Sequence, residues 1–434
     1  MTDQQRNARF ALTVLFGVNL MNFFDRTIVG ALAEPIRIEF GLNDTALGGI
    51  NTVFVVIYAI VGLPLGRLTD TWVRTRLIAI GVTIWSFFTA ASGAAQGFWS
   101  FLAMRVGVGI GEASCAPAGQ SLIGDLYPPQ RRAWAMAVFM LGLPLGLFLA
   151  YLVGGKIGAR WGWRAALYVA CVPGLILAVL MLQVKEPARG VTDKATAQPI
   201  KQPFRSLLRI PTLWWIVLSG LLLNFNTYAV NAFQSPFLQR FHGLTLGEAS
   251  TISSWSLGLV GIAGLLIGGW LGDRLHVKRP NGRLLLPAVS MSLAAPSVFF
   301  ALQQPQGSAL TYGAFIAIST VMNFVYYATV YSAIQDVVPP RLRGTAVAVY
   351  FLAMYVLGAA FGTLALGALS DHFAHQQMLA AGAVEMAPMF RAAGLHSAMY
   401  IMPLLLAACA VSLFGAATTV AGDARRMQQQ LATA

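Results

Sequence analysis

The sequence predicts an all-α integral membrane protein of twelve transmembrane helices, built as two pseudo-symmetric six-helix bundles with both termini in the cytoplasm. Three observations predict it. Of 434 residues, 57% are hydrophobic and only 10% charged, against about 25% charged in soluble domains, so the chain cannot dress a water-exposed surface. Nearly uncharged stretches of 18 or more residues recur along its length, each long enough for a hydrocarbon core of about 30 Å. Two separate motifs also recur at nearly one offset. A helix satisfies its backbone polar groups internally, and the alternation of a membrane β-barrel is absent.

In order, the expected spans are 10–32, 46–66, 77–95, 99–122, 133–156 and 164–183, then 212–235, 249–271, 284–303, 308–334, 344–370 and 395–419. An even count puts both termini on one side. The turns after every second span, with the two termini, carry 21 of the 29 Lys and Arg residues. The opposite loops carry six, Arg37, Lys156, Arg160, Arg164, Arg240 and Arg391. The positive-inside rule then places the termini in the cytoplasm, in a bacterial inner membrane. The same scatter accounts for the net charge of +13 without nucleic acid as a partner. Ala31-Leu32-Ala33 resembles a signal-peptidase site, but Asp25 and Arg26 interrupt its approach and cleavage would leave an odd helix count. Cys115, Cys171 and Cys409 fall inside spans and offer neither metal spacing nor a disulfide framework. No cofactor is expected.

The repeat is read from the cytoplasmic turns. Gly66-Arg67-Leu68-Thr69-Asp70, followed by Arg74 and Arg76, returns 203 residues on as Gly269-Trp270-Leu271-Gly272-Asp273-Arg274. Asp125-Leu126-Tyr127-Pro128-Pro129 returns 211 residues on as Asp336-Val337-Val338-Pro339-Pro340. Two motifs at nearly one offset indicate a duplicated six-helix unit in parallel orientation, one of the known transporter architectures. The halves are then 1–183 and 212–434, joined by a cytoplasmic linker at 184–211 with six basic and two acidic residues.

The Gly-x-Leu-x-Asp…Arg-x-Arg turn, with Arg105 in span 4 and Gly142-Leu-Pro144-Leu-Gly146 in span 5, resembles the signature of the major facilitator superfamily. Thr71 and Val73 depart from it. Asn22-Phe23-Phe24-Asp25-Arg26, the run from Arg105 through Gly107, Gly109, Gly111, Glu112 and Ser114 to Pro117, Trp163-Arg164 and Glu186-Pro187-Ala188-Arg189-Gly190 are similar to the spinster-like branch over about 190 residues. The resemblance implies the major facilitator fold, alternating access, and proton-driven movement of lysolipid- or sphingolipid-like amphiphiles. It also implies a cytoplasmic gate at Asp70, Arg74, Arg76, Asp273 and Arg274, with Asp70 capping a neighbouring helix, where a carboxylate meets the positive end of the dipole.

Four ionisable residues lie in the apolar zone, Asp25, Arg26, Arg105 and Glu112, all in spans 1 and 4. Each costs about 2.5–3.5 kcal/mol on insertion scales, so such groups face a cavity and have partners. Asn19, Asn22 and Arg26 form one stripe on span 1. Asp25 is expected to pair with Arg105 at matching depth. Glu112 lies about 10 Å deeper with no cation at its level, and because burial disfavours a charged carboxyl it is the first choice for proton coupling, Asp25 the second. All five histidines fall in loops or at span ends. Arg26 and Arg105, with Asn19 and Asn22, would attract an anionic or zwitterionic head group.

The second half offers neutral polar groups instead: Asn226 and Asn231 in span 7, Asn323 and Tyr327 in span 10. A charged wall and an aromatic, neutral wall suit an amphiphile, head to one side and tail to the other. The same span 1 pair and span 5 pattern also fit an organic-anion or multidrug transporter. A lipid-acting membrane enzyme lacks a Ser-His-Asp grouping or an acidic metal site here, and a non-transporting receptor leaves the buried charges without a role. A monomer, with membrane lipids around it, suffices.

Overall fold

The computed structural model describes residues 3–188, 207–279, 281–339 and 342–432, and these are helical throughout, without a strand. The first half runs α1 Asp3–Ala31, α2 Ala33–Phe40, α3 Asp44–Thr71, α4 Arg74–Gly93, α5 Phe98–Glu112, α6 Cys115–Leu126, α7 Pro129–Met140, α8 Gly142–Leu149, α9 Gly155–Trp161 and α10 Trp163–Leu182. The second runs α11 Pro211–Arg240, α12 Leu246–Ser253, α13 Gly261–Lys278, α14 Gly282–Leu302, α15 Ala309–Val337, α16 Arg343–Leu352, α17 Phe361–Ala380, α18 Pro388–Met399 and α19 Ile401–Ala432.

Eleven helices among the described residues are long and apolar enough to cross a membrane, each overlapping an expected span. The remaining expected span, 99–122, is not one helix. It breaks at Ala113–Ser114, directly after Glu112, into α5 and α6. The cause is Pro117, which has no N–H to donate to the carbonyl of Ala113 four residues back. Ala113 and Ser114 instead turn tightly onto the carbonyls of Gly109 and Gly111. Most of the expected linker, residues 189–206, lies outside the described residues.

Contacts divide the chain into two compact units. The first takes Met1–Ala195, Asn231–Gln239 and Leu244–Leu259; the second takes Thr196–Val230, Arg240–Gly243 and Val260–Ala434. Small residues set the packing in each, as expected where lipid removes the hydrophobic drive between helices. In the first unit, Gly142 and Gly146 of α8 lie against the α1 backbone, where an added Cβ would meet Leu20 N at 2.8 Å and Leu20 O at 2.5 Å. In the second, Gly264 and Gly268 of α13 press on Val321, Phe324 and Val325 of α15. The duplication is visible here too. A π-helical stretch interrupts the fifth expected span at Ala150–Gly154 and the eleventh at Ala353–Ala360, 203 residues later.

Between α4 and α5 the two backbones approach closely at Gly111. A Cβ there would stand 2.7 Å from both Gly81 O and Trp85 N, backbone atoms that cannot swing away. Gly111→Ala is therefore expected to lower stability by about 1–3 kcal/mol through overpacking. Gly62→Ala, with nothing within 4 Å of the added carbon, should change it by less than about 0.5 kcal/mol. Thermal unfolding of the two purified variants in detergent checks the difference.

Candidate functional site

The centre of the first unit is an ion pair that the depth reading did not anticipate. Arg26 Nε lies 2.7 Å from Glu112 Oε2, with the two side chains 6% and 0% exposed. Asn22 Nδ2 donates to the same oxygen at 3.1 Å. Glu112 Oε1 is buried without a hydrogen-bond partner. The guanidinium group sits over the Tyr58 ring at 4.1 Å, with Phe23 and Phe54 at 5.4 and 5.6 Å, a geometry in which ring faces attract a cation. Glu112 thus has a cation after all. Arginine carries its charge on a long stem, so a residue placed about two turns from Glu112 in depth still reaches it.

The expected Asp25–Arg105 pair does not form within salt-bridge distance. Asp25 is 1% and Arg105 2% exposed, and both Asp25 carboxylate oxygens and Arg105 Nε and Nη2 lack hydrogen-bond partners. Successive residues of a helix point about 100° apart, so Asp25 leaves α1 on a different face from Arg26. It faces Trp85 and Thr89 of α4. The stripe on α1 serves two purposes: Asn22 and Arg26 converge on Glu112, whereas Asn19 Nδ2 donates to Phe139 O at 2.7 Å and braces α7.

The neutral residues divide between the units. Asn231 belongs to the first, where its carbonyl accepts from Tyr151 Oη at 2.6 Å. Asn226, Asn323 and Tyr327 belong to the second. Tyr327 Oη donates to Asn224 Oδ1 at 3.3 Å, and the Oδ1 atoms of Asn226 and Asn323 are buried without partners. Ser219, Tyr326 and Tyr350 join through their hydroxyls at 2.9 and 3.1 Å.

At the expected gate the partners differ from the motif reading. Arg74 is 1% exposed and binds Asp125 at 2.5 Å, Glu186 at 2.8 Å, Ser121 Oγ at 2.9 Å and Pro187 O at 3.2 Å. Asp70 and Arg76 are exposed. In the second unit Arg283, not Arg274, carries this part, binding Asp336 at 2.9 Å and Asp273 at 3.1 Å. Arg274 stacks over Trp270 at 3.9 Å. Each arginine opens the helix after the turn, and each takes the aspartate of the Asp-x-x-Pro-Pro motif, so the clamp is duplicated with the fold. Glu186 and Arg283 were the partners missed; the second lies outside either repeated motif.

On the loop side, Glu39 accepts from Trp163 Nε1 at 2.6 Å and pairs with Arg164, and these contacts hold its carboxyl below the usual range. In the second unit a cleft of 320 Å³ is lined by residues including Arg240, His242, Gln306 and His396. His396 stacks on Phe241 at 4.3 Å. Burial, aided by His396, pushes His242 down to about 4.

Two outcomes follow. Replacing either Arg26 or Glu112 by Leu strands a buried charge and should cost about 3–5 kcal/mol, while the double replacement regains most of it; thermal unfolding of all three variants reads the cycle. For His242, an unfolded chain takes up a proton near pH 6.5 and the buried imidazole only near 4. Stability is therefore full above pH 6.5 and falls as pH drops toward 4. His242→Gln should flatten the dependence of Tm on pH across that window.

The sequence profile of the Major Facilitator Superfamily matches residues 15–363. An MFS-type efflux pump of Mycolicibacterium smegmatis is 32% identical over 375 residues, 84% of this chain and 85% of the relative. Protein spinster homolog 1 of Homo sapiens is 31% identical over 385 residues, 83% of this chain and 72% of the relative. The crystal structure of a bacterial homologue of the human lysosomal transporter spinster, inward-facing and unoccupied, superposes with a TM-score of 0.86 at 28% identity, covering 96% of this chain and 98% of that one. The chain is a multi-pass membrane transporter rather than an enzyme, and it belongs to the Major Facilitator Superfamily, among its spinster-like members.

Proposed function

We propose that this transporter is proton-coupled, works by alternating access, and moves a lysolipid- or sphingolipid-like amphiphile across a bacterial inner membrane. The observation that carries the reading is the Arg26–Glu112 pair, buried in an apolar bundle with Glu112 Oε1 unpartnered. Membrane helices hold such charges where they act on ions or substrates. A proton arriving at Oε1 neutralises the carboxylate and weakens its hold on Arg26. The guanidinium group, steadied by Tyr58 and Phe54, is then released toward an anionic head group. Deprotonation restores the pair and expels the head group. Proton and substrate are thereby coupled at one arginine.

The rest of the reading follows from this centre. Arg105, Asn19 and Asn22 on the charged side, and Asn226, Asn231, Asn323 and Tyr327 on the neutral side, are assigned to substrate binding. Asp25 is the second proton site. Asp70, Arg74, Arg76, Asp273 and Arg274 are assigned to the cytoplasmic gate. The broken α5–α6 segment is taken as the twelfth span, with six-helix bundles at 1–183 and 212–434, a linker at 184–211, cytoplasmic termini and a monomeric working unit. The efflux-pump relative favours a second cargo, an organic anion or drug, on the same fold and coupling.

Movement of a labelled lysophospholipid in proteoliposomes, driven by an imposed proton gradient, tests the reading. Glu112→Gln keeps an acceptor for Arg26 and Asn22 but removes the titrating group. It is expected to fold, and to lose uphill movement by at least about tenfold, the effect of about 1.4 kcal/mol. Full gradient-driven movement by that variant sinks the role of Glu112. A parent protein that moves a drug or organic anion but no lysolipid moves the cargo to the second reading.

A further inference from the structure

Beyond its first turn α4 carries four serine and threonine hydroxyls, at positions 83, 86, 89 and 92, the first exposed and the other three buried, and they behave in two ways. Thr83 and Ser92 donate to the carbonyls of Ala79 and Phe88, at 2.8 and 2.7 Å. This back-bond four residues away is the default for a hydroxyl in an apolar helix. Ser86 and Thr89 do not make it. Both hydroxyls are fully buried and without a partner. One turn before Thr89, on the same face, Trp85 is also fully buried with its indole N–H unpaired.

A buried donor forgoes an available bond only where another partner takes it. That partner is on α1. Thr89 and Trp85 face the Asp25 carboxyl group, and both of its oxygens lack direct partners too. Arg105 and Glu112 face Asp25 from α5, and Cys171 from α10. Two donors and two acceptors, with the Arg105 guanidinium beside them, thus converge at separations that a small shift would close to full hydrogen bonds.

We propose that Trp85 and Thr89 are positioning residues for Asp25, holding its carboxyl group from α4 while Arg105 and Glu112 face it from α5. The proposal rests on Asp25 being a proton site, as read above, and adds the two residues that govern it. Trp85 supplies only a donor. Thr89 supplies a donor or an acceptor as its hydroxyl rotates, so the cluster accommodates both protonation states of Asp25. The α4 backbone is fixed at this point by Gly111, whose hydrogen stands where a side chain would strike Trp85 N. The indole is consequently delivered to Asp25 by helix packing rather than by a flexible loop.

Two isosteric changes remove the donors while keeping the volume, Trp85→Phe and Thr89→Val, and Thr89→Ser restores the hydroxyl. The first readout needs no transport. It is the infrared difference band of a protonated carboxyl followed against pH in purified protein, assigned to Asp25 by its loss in Asp25→Asn. The second is the pH profile of gradient-driven movement, with KM for the labelled lysophospholipid alongside. Losing a donor leaves the ionised carboxylate less stabilised. The Asp25 band midpoint should therefore move by about one pH unit toward higher pH, a tenfold change in proton affinity, in both Phe and Val variants. Thr89→Ser should stay with the parent, and KM should be unchanged. A midpoint unmoved in folded Trp85→Phe and Thr89→Val, or an Asp25 band that does not titrate, overturns the proposal. So does a Thr89→Ser variant displaced as far as Thr89→Val, since packing alone would then be the cause. A parent showing no proton-driven movement defeats the functional reading, while the infrared midpoints still decide this one.

Discussion

A buried ion pair in an apolar bundle imposes its geometry on everything around it. Arg26 and Glu112 have exposures of 6% and 0%, and removing two such charges from water costs several kcal/mol each, recovered only with close contact and further hydrogen bonds. The first unit meets those terms. Asn22 donates to the shared oxygen, Tyr58 lies under the guanidinium plane, and α5 is packed through three glycines against α3 and α4. Gly107 meets the ring of Phe88, Gly109 meets Phe54 O at 3.1 Å, and Gly111 meets the α4 backbone. Any side chain at these positions would hold α5 away and leave Glu112 short of its cation. The break after Glu112 belongs to the same arrangement, because a helix released from its hydrogen-bond ladder at Ala113 can turn its last carboxylate toward α1.

The fold was legible because bilayer physics writes it in large units. Stretches of apolar residues, basic turns and two repeated motifs needed no knowledge of contacts, and eleven of the expected spans appear as helices of sufficient length. The four residues of the charged cluster were legible for the same reason, since charge in hydrocarbon is conspicuous. Their pairing was not. Depth counted along a helix locates a Cα to about one turn, but Arg26 delivers its charge far from its Cα, and the 100° between Asp25 and Arg26 sends neighbours to different partners. The gate shows the same limit. Arg74 was visible in the motif, whereas Arg283 lies ten residues beyond Asp273 and outside any repeat in the sequence, and only the ion pair with Asp336 identifies it.

The two arginine clamps resemble each other in residue type and position and differ in their further partners. Arg74 and Arg283 each lie in the first turn of their helix and each take the aspartate of Asp-x-x-Pro-Pro. In the first unit the third partner is Glu186, beyond α10, and Pro187 O adds a fourth contact. Asn7 and Lys185 exchange two hydrogen bonds of 3.0 Å beside it, and Tyr127 Oη donates to Ala8 O. The ends of α1, α4, α6 and α10 are thereby tied together. In the second unit the other partner is Asp273, with an exposed side chain, where an ion pair contributes little. The first clamp is buried and the second half-open to water.

The same contrast runs through the interiors. Polar groups in the core of the first unit include the charged side chains Asp25, Arg26, Arg105 and Glu112. Those of the second unit are amides and phenols, joined as Ser219–Tyr326–Tyr350 and Tyr327–Asn224, which keep their charge over the ordinary pH range. A neutral network costs less to bury than an ionic one and responds less to its surroundings. Ionic interactions buried within the spans therefore lie in the first unit, where they respond strongly to their surroundings, while the neutral network of the second responds weakly.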